Sequence, residues 1–162
     1  MNKLIPGILL ILFCSNVSFG QKPVSEWFVM DSDRKQTSIQ ELTKNESLIV
    51  VSFWASWCKP CIAELNAISD EIEDWKEEVN FEMVAVAIDD ARSSSKVKSA
   101  VNGNGWDFII ALDENQDLKR RLGINNIPYT IILKDHEIVY RRAGYLPGDE
   151  QIMWEKIQKL DE

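Results

Sequence analysis

The sequence predicts an α/β fold, one central mixed sheet flanked by helices. Two near-continuous apolar runs of strand length, residues 48–53 and 81–88, read as strands covered on both faces. Cys61, Leu65, Ile68, Ile72 and Trp75 follow one another at spacings of four and three, which is the apolar stripe of a helix. Late in the chain two short apolar runs lie on either side of a tight polar turn, the pattern of an antiparallel hairpin at a sheet edge. With 162 residues, 45% of them hydrophobic, the chain is one domain long and can bury a core.

The first twenty residues read as an export signal. A short basic start at Lys3 precedes an apolar stretch at 4–13, and Ser18 and Gly20 stand where a signal peptidase requires small residues for a cut before Gln21. The apolar stretch is short for a membrane span. Cys14 raises lipidation as the lesser alternative, since bulky Phe13 precedes it. Residues 21–162 then form the folded domain.

Within that domain a strand is expected at 26–30, closed by a turn at Asp31, Ser32 and Asp33. Ser38 and Glu41 form a capping-box pattern and start a short helix. The strand at 48–53 leads into a helix at 60–77, and the strand at 81–88 into a polar turn. A helix at 94–101 is expected, stopped by Gly103-Asn104-Gly105, and a short strand at 108–112 follows. Asp113 to Asn115 can cap a helix that ends at Gly123. Ile127-Pro128-Tyr129 opens a strand at 130–133, a turn around Lys134 and Asp135 reverses it, and a strand at 138–143 is broken by Gly144. A last helix runs to residue 160.

Chemistry concentrates at Trp57-Cys58-Lys59-Pro60-Cys61, where the first long strand hands over to a helix. Pro60 suits a first helical turn because the amide it lacks would have no partner there. Cys58 then sits at the positive end of the helix, which favours thiolate over thiol, while Cys61 lies on the core-facing stripe and keeps its proton. The expected division is an accessible attacking Cys58 and a shielded resolving Cys61. Zinc shared across a dimer and a chemically silent pair are the other readings. Four zinc ligands are hard to assemble from this pair, His136 and Cys14, and Ile62 stands where a c-type haem site has histidine. His136 itself reads as a surface turn residue. The formal charge of −8 and the lack of any basic run speak against nucleic acid as a partner.

Trp54-Ala55-Ser56-Trp57-Cys58-Lys59-Pro60-Cys61, then Ile127-Pro128, then Gly144, resembles the thioredoxin superfamily. The leader, the N-terminal extension and a strand–helix insertion between 88 and 113 resemble its exported TlpA/ResA-type thiol–disulfide oxidoreductases. The resemblance implies a thioredoxin-like fold, a redox-active Cys58–Cys61 disulfide, and a cis bond before Pro128. It also implies an apolar docking surface of Trp57, Pro60, Ile127, Pro128 and Gly144, with Trp54 in the core. Cytoplasmic thioredoxins carry a buried aspartate where this chain has Ser52. The ResA group has a glutamate where this chain has Glu64, which implies a general base for Cys61; the bland reading is one more carboxylate of an acidic helix. Lys59 is at most a tuning residue. The implied activity is reduction of protein disulfides outside the cytoplasm by a monomer, in cytochrome c maturation or a related task. A membrane thiol carrier would be the electron donor, and no metal or organic cofactor is needed. The rival activities are a disulfide oxidase or isomerase, a peroxiredoxin-like peroxidase, and a non-catalytic binding module.

Overall fold

The computed structural model describes residues 26–44 and 46–161, so the expected export signal at 1–20, with Cys14, lies outside the described residues. The chain begins with strands β1 (Phe28–Met30) and β2 (Gln36–Ser38) and helix α1 (Ile39–Leu42). Strand β3 (Leu48–Trp54) leads into helix α2 (Lys59–Glu78), and β4 (Glu82–Ala87) into α3 (Ser94–Asn104). Strand β5 (Ile109–Leu112), helix α4 (Asp117–Arg121), strands β6 (Tyr129–Lys134) and β7 (Glu137–Ala143), and helix α5 (Asp149–Asp161) complete it.

The strands form one mixed sheet in the order β2-β1-β5-β4-β3-β6-β7. β3 lies parallel to β4 and antiparallel to β6, and all seven of its residues are buried. That position explains its unbroken apolar run: with neighbours on both edges and cover on both faces, no side chain meets water. Ser52 is the exception in chemistry, though not in burial.

Four elements differ from the sequence expectation. β2 had no apolar signal, because it is a three-residue edge strand of Gln, Thr and Ser that pairs only with β1. The hairpin between them is closed by Asp31, whose carboxylate accepts the backbone N–H groups of Asp33 and Lys35 at 2.9 Å each. Helix α3 does not end at Val101 but within the expected Gly103-Asn104-Gly105 stop. It runs through to Asn104, because a glycine in a helix costs only about 1 kcal/mol and leaves the hydrogen bonds intact. The stop is Gly105, at φ +69, whose N–H bonds Val101.

Helix α4 begins at Asp117, later than expected. Asp113 still caps it, from further back: its two carboxylate oxygens accept the N–H groups of Leu118 and Lys119 at 3.2 and 2.9 Å. The β6–β7 turn falls one residue later than expected, on Asp135 and His136. Both have positive φ, as a two-residue hairpin loop requires.

Large rings join the layers. Trp54 is wholly buried and meets Trp106 edge to face at 5.0 Å. Trp75 of α2 stacks on Trp154 of α5 at 5.2 Å, so these helices lie side by side.

Candidate active site

The site is assembled where β3 ends. Trp54 closes the strand, and Cys58 N–H turns back to donate to Ala55 O at 3.0 Å. Asp89, just beyond β4, holds this loop: its buried carboxylate accepts Ser56 N–H at 2.9 Å and also the Ser56 hydroxyl. Cys58 is the N-cap of the 20-residue helix α2, and its sulfur accepts Cys61 N–H at 3.3 Å. Pro60 falls in the first turn, where its missing amide leaves no gap in the helix.

Cys58 and Cys61 are joined in a disulfide with their Cα atoms 5.3 Å apart. The expected asymmetry is present but smaller than expected. Cys61 is fully buried and Cys58 is 6% exposed, so both sulfurs of the disulfide are covered where an accessible Cys58 was expected. The accessible feature beside them is Trp57, 67% exposed, with Lys59 and Pro60 also exposed.

The same end of the sheet carries the second wall. The Ile127–Pro128 bond is cis, with Pro128 buried and Ile127 half-buried. Tyr129 pairs with Phe53 on one side and with Ala143 on the other, so Pro128 and Gly144 lie at the edge where the Cys58 loop emerges. Gly144 N–H donates to Pro128 O at 2.9 Å. Gly144 adopts φ +81, a left-handed conformation that a side chain would strain.

Glu64 is no ordinary carboxylate of α2. It is 5% exposed, whereas Asp70, Glu73 and Asp74 of the same helix are exposed. Ser52 and Thr130 are paired across β3 and β6, and Glu64 lies over that pair. The Ser52 hydroxyl donates to Oε2 and the Thr130 hydroxyl to Oε1, both at 3.0 Å. Burial pushes the carboxyl up to about 7, against the opposing pull of these hydroxyls and of Arg142. It can therefore take and return a proton near neutrality.

Sequence reasoning passed over three of these groups. Ser52 was read only as a missing aspartate, and it is instead a donor to the carboxyl. Thr130 and Asp89 received no role. Ser52 and Thr130 carried a legible signal, a lone hydroxyl in each of two apolar strands. Asp89 carried none, because it looks like the start of a polar loop. His136 is exposed at the hairpin turn, and among the described residues no three His, Cys, Asp or Glu side chains gather as metal ligands.

A family model, Redoxin, matches residues 21–156. The thiol-disulfide oxidoreductase ResA of Bacillus anthracis is 27% identical over 124 residues, covering 76% of this chain and 69% of that one. A thioredoxin-like protein from Porphyromonas gingivalis superposes with a TM-score of 0.71 at 32% identity, over 87% of this chain and 92% of that chain. A thiol:disulfide interchange protein, DsbE, from Chlorobium tepidum gives 0.74 at 17% identity over 88% and 97%, which speaks to the fold. The chain belongs to the Redoxin family, and its fold and cysteine pair make it a thiol–disulfide oxidoreductase of the TlpA/ResA type.

Proposed function

We propose that the chain is an exported reductase of protein disulfides, acting as a monomer in cytochrome c maturation or a related task and recharged by a membrane thiol carrier. One observation carries the chemistry: a disulfide at a helix N-cap, with a carboxyl that titrates near neutrality buried one turn behind it. In the reduced protein the Cys58 thiolate, favoured by the helix N-terminus, attacks a client disulfide and expels one client thiolate. Glu64 takes the proton of Cys61. The Cys61 thiolate then attacks the Cys58 sulfur of the mixed disulfide, releasing the second client thiolate and restoring the Cys58–Cys61 bond.

Trp57, Pro60, Ile127, Pro128 and Gly144 form the docking surface in this reading. Lys59 adds a screened positive charge beside Cys58. Support for export comes from the basic and apolar start of the chain with small residues before Gln21. No helix among the described residues is long and apolar enough to cross a membrane.

The test uses the fully reduced protein and insulin as disulfide substrate. Cys58→Ser abolishes reduction, and a variant that still reduces insulin sinks the mechanism. Expressed in its native envelope, Cys61→Ala stalls as a mixed disulfide through Cys58, and mass spectrometry of what it holds identifies the clients. Clients confined to the cytoplasm would overturn the export reading.

A further inference from the structure

Glu64 must discard the proton it takes from Cys61 while a client covers the Trp57 surface. Both of its oxygens are already engaged, by Ser52 and Thr130. A small cavity of about 10 Å³, the scale of one water, adjoins it on the side of α5 and is lined by Glu64, Thr130, Tyr140, Arg142, Asp149 and Glu150 among others. Arg142 belongs there by register, since Ser52, Thr130 and Arg142 lie in one row across β3, β6 and β7.

Arg142 is ion-paired to Asp149 in the first turn of α5, and both side chains are largely covered. Asp149 also accepts Leu146 N–H at 2.7 Å, and Glu150 accepts the Tyr145 hydroxyl at 2.8 Å and Gly148 N–H at 3.0 Å. The pair is thus held in place by the loop that follows Gly144. Every charged or titratable group around the cavity comes from α2 (Glu64), β7 (Tyr140, Arg142), the loop (Tyr145) or α5 (Asp149, Glu150).

We propose that the Arg142–Asp149 pair is the proton outlet of Glu64: it sets how tightly Glu64 holds its proton and passes that proton to solvent beneath α5 while the disulfide face is occupied. This rests on Glu64 serving as the base for Cys61. In the step, the Cys61 S–H bond breaks and the Glu64 O–H bond forms. The sulfur electron pair makes the new S–S bond, the client thiolate leaves with the pair from the broken one, and the proton passes from Glu64 by way of Asp149 to water. Arg142 is a positioning residue and Asp149 relays the proton of Glu64; neither touches a sulfur.

The two charges pull Glu64 in opposite directions, Arg142 down and Asp149 up, which gives a test that general loosening of the fold does not mimic. The Glu64 carboxyl of the full-length oxidised protein is titrated by ¹³C NMR, and release of a peptide from its mixed disulfide with Cys58 is timed across pH. Arg142→Gln raises the Glu64 midpoint by about one unit, Asp149→Asn lowers it by about as much, and Arg142→Lys restores it. The turning point of the release rate moves with each midpoint, and Asp149→Asn turns over about tenfold more slowly. Unchanged midpoints and profiles, or both variants shifting the same way, overturn the outlet while leaving Glu64 as base. If Glu64→Gln releases the peptide as fast as the unsubstituted protein at every pH, base and outlet fall together.

Discussion

Burial and hydrogen bonding pull Glu64 in opposite directions, and burial wins. Two hydroxyl donors favour the carboxylate, but a group only 5% exposed loses more hydration than two neutral donors return. The result, a carboxyl near 7 where an unfolded glutamate titrates near 4.5, has a consequence for stability. Because the folded value is the higher one, the native state binds more protons between these limits. The contribution of Glu64 is therefore fully present below about pH 4.5 and is lost as pH rises toward about 7, by on the order of 3 kcal/mol. Urea unfolding of the oxidised protein at acid and mildly alkaline pH shows this loss, and Glu64→Gln removes it; an equal slope in both proteins would refute the assignment. Trp57 poses the opposite case, a large ring left 67% in water. An exposed aromatic beside a reactive pair suits a docking anchor, so Trp57→Ala raises KM for a protein disulfide by about tenfold or more while the unfolding midpoint stays put. A drop in kcat at unchanged KM would argue against that role.

At the scale of elements, the site depends on how a strand is made to become a helix. β3 delivers the chain, Asp89 clamps the loop through Ser56, and α2 starts with a cysteine as cap and a proline in its first turn. A buried carboxylate that loses its partners, or partners that lose it, cost about 1–3 kcal/mol. Asp89→Ala frees Ser56 and is expected to lower stability by that amount and to slow disulfide exchange, read by denaturant titration and stopped-flow tryptophan fluorescence. An exchange rate equal to that of the unsubstituted protein would show that the loop is held elsewhere. These links also mark where local sequence signals work. The capping box at Ser38 and Glu41 forms as its residue types dictate, and the Cys58–Pro60 start of α2 does likewise. Within the Gly103-Asn104-Gly105 stop, Gly103 permits an end without requiring one; the left-handed residue, Gly105, decides.

At the scale of the molecule, one sheet serves as both core and platform. Its central strands β4, β3 and β6 are buried on both faces, and α2 and α5 lock together through Trp75 and Trp154. Ile131 is fully buried within β6, one residue past Thr130, so Ile131→Ala is expected to cost about 2–5 kcal/mol. That is a large share of the roughly 5–15 kcal/mol that holds such a domain together. Thermal unfolding checks it, and a loss well under 1 kcal/mol would mean that the sheet can collapse around the gap.

The order of strands and helices and the cysteine pair with its helix could be read along the chain, since periodicity, capping and motif spacing are local properties; Glu64 stood out from the other acids of its helix only through the resemblance to the ResA group. Ser52 shares a row with Thr130 and Arg142 only because strands far apart in sequence become neighbours in register, and Asp89 reaches Ser56 only because β3 and β4 lie parallel. The resemblance pointed to a carboxylate one turn beyond the second cysteine. Folding decided that it is buried, which hydroxyls hold it and which ion pair flanks it, because desolvation and the fields of distant charges exist only once the surrounding elements have packed.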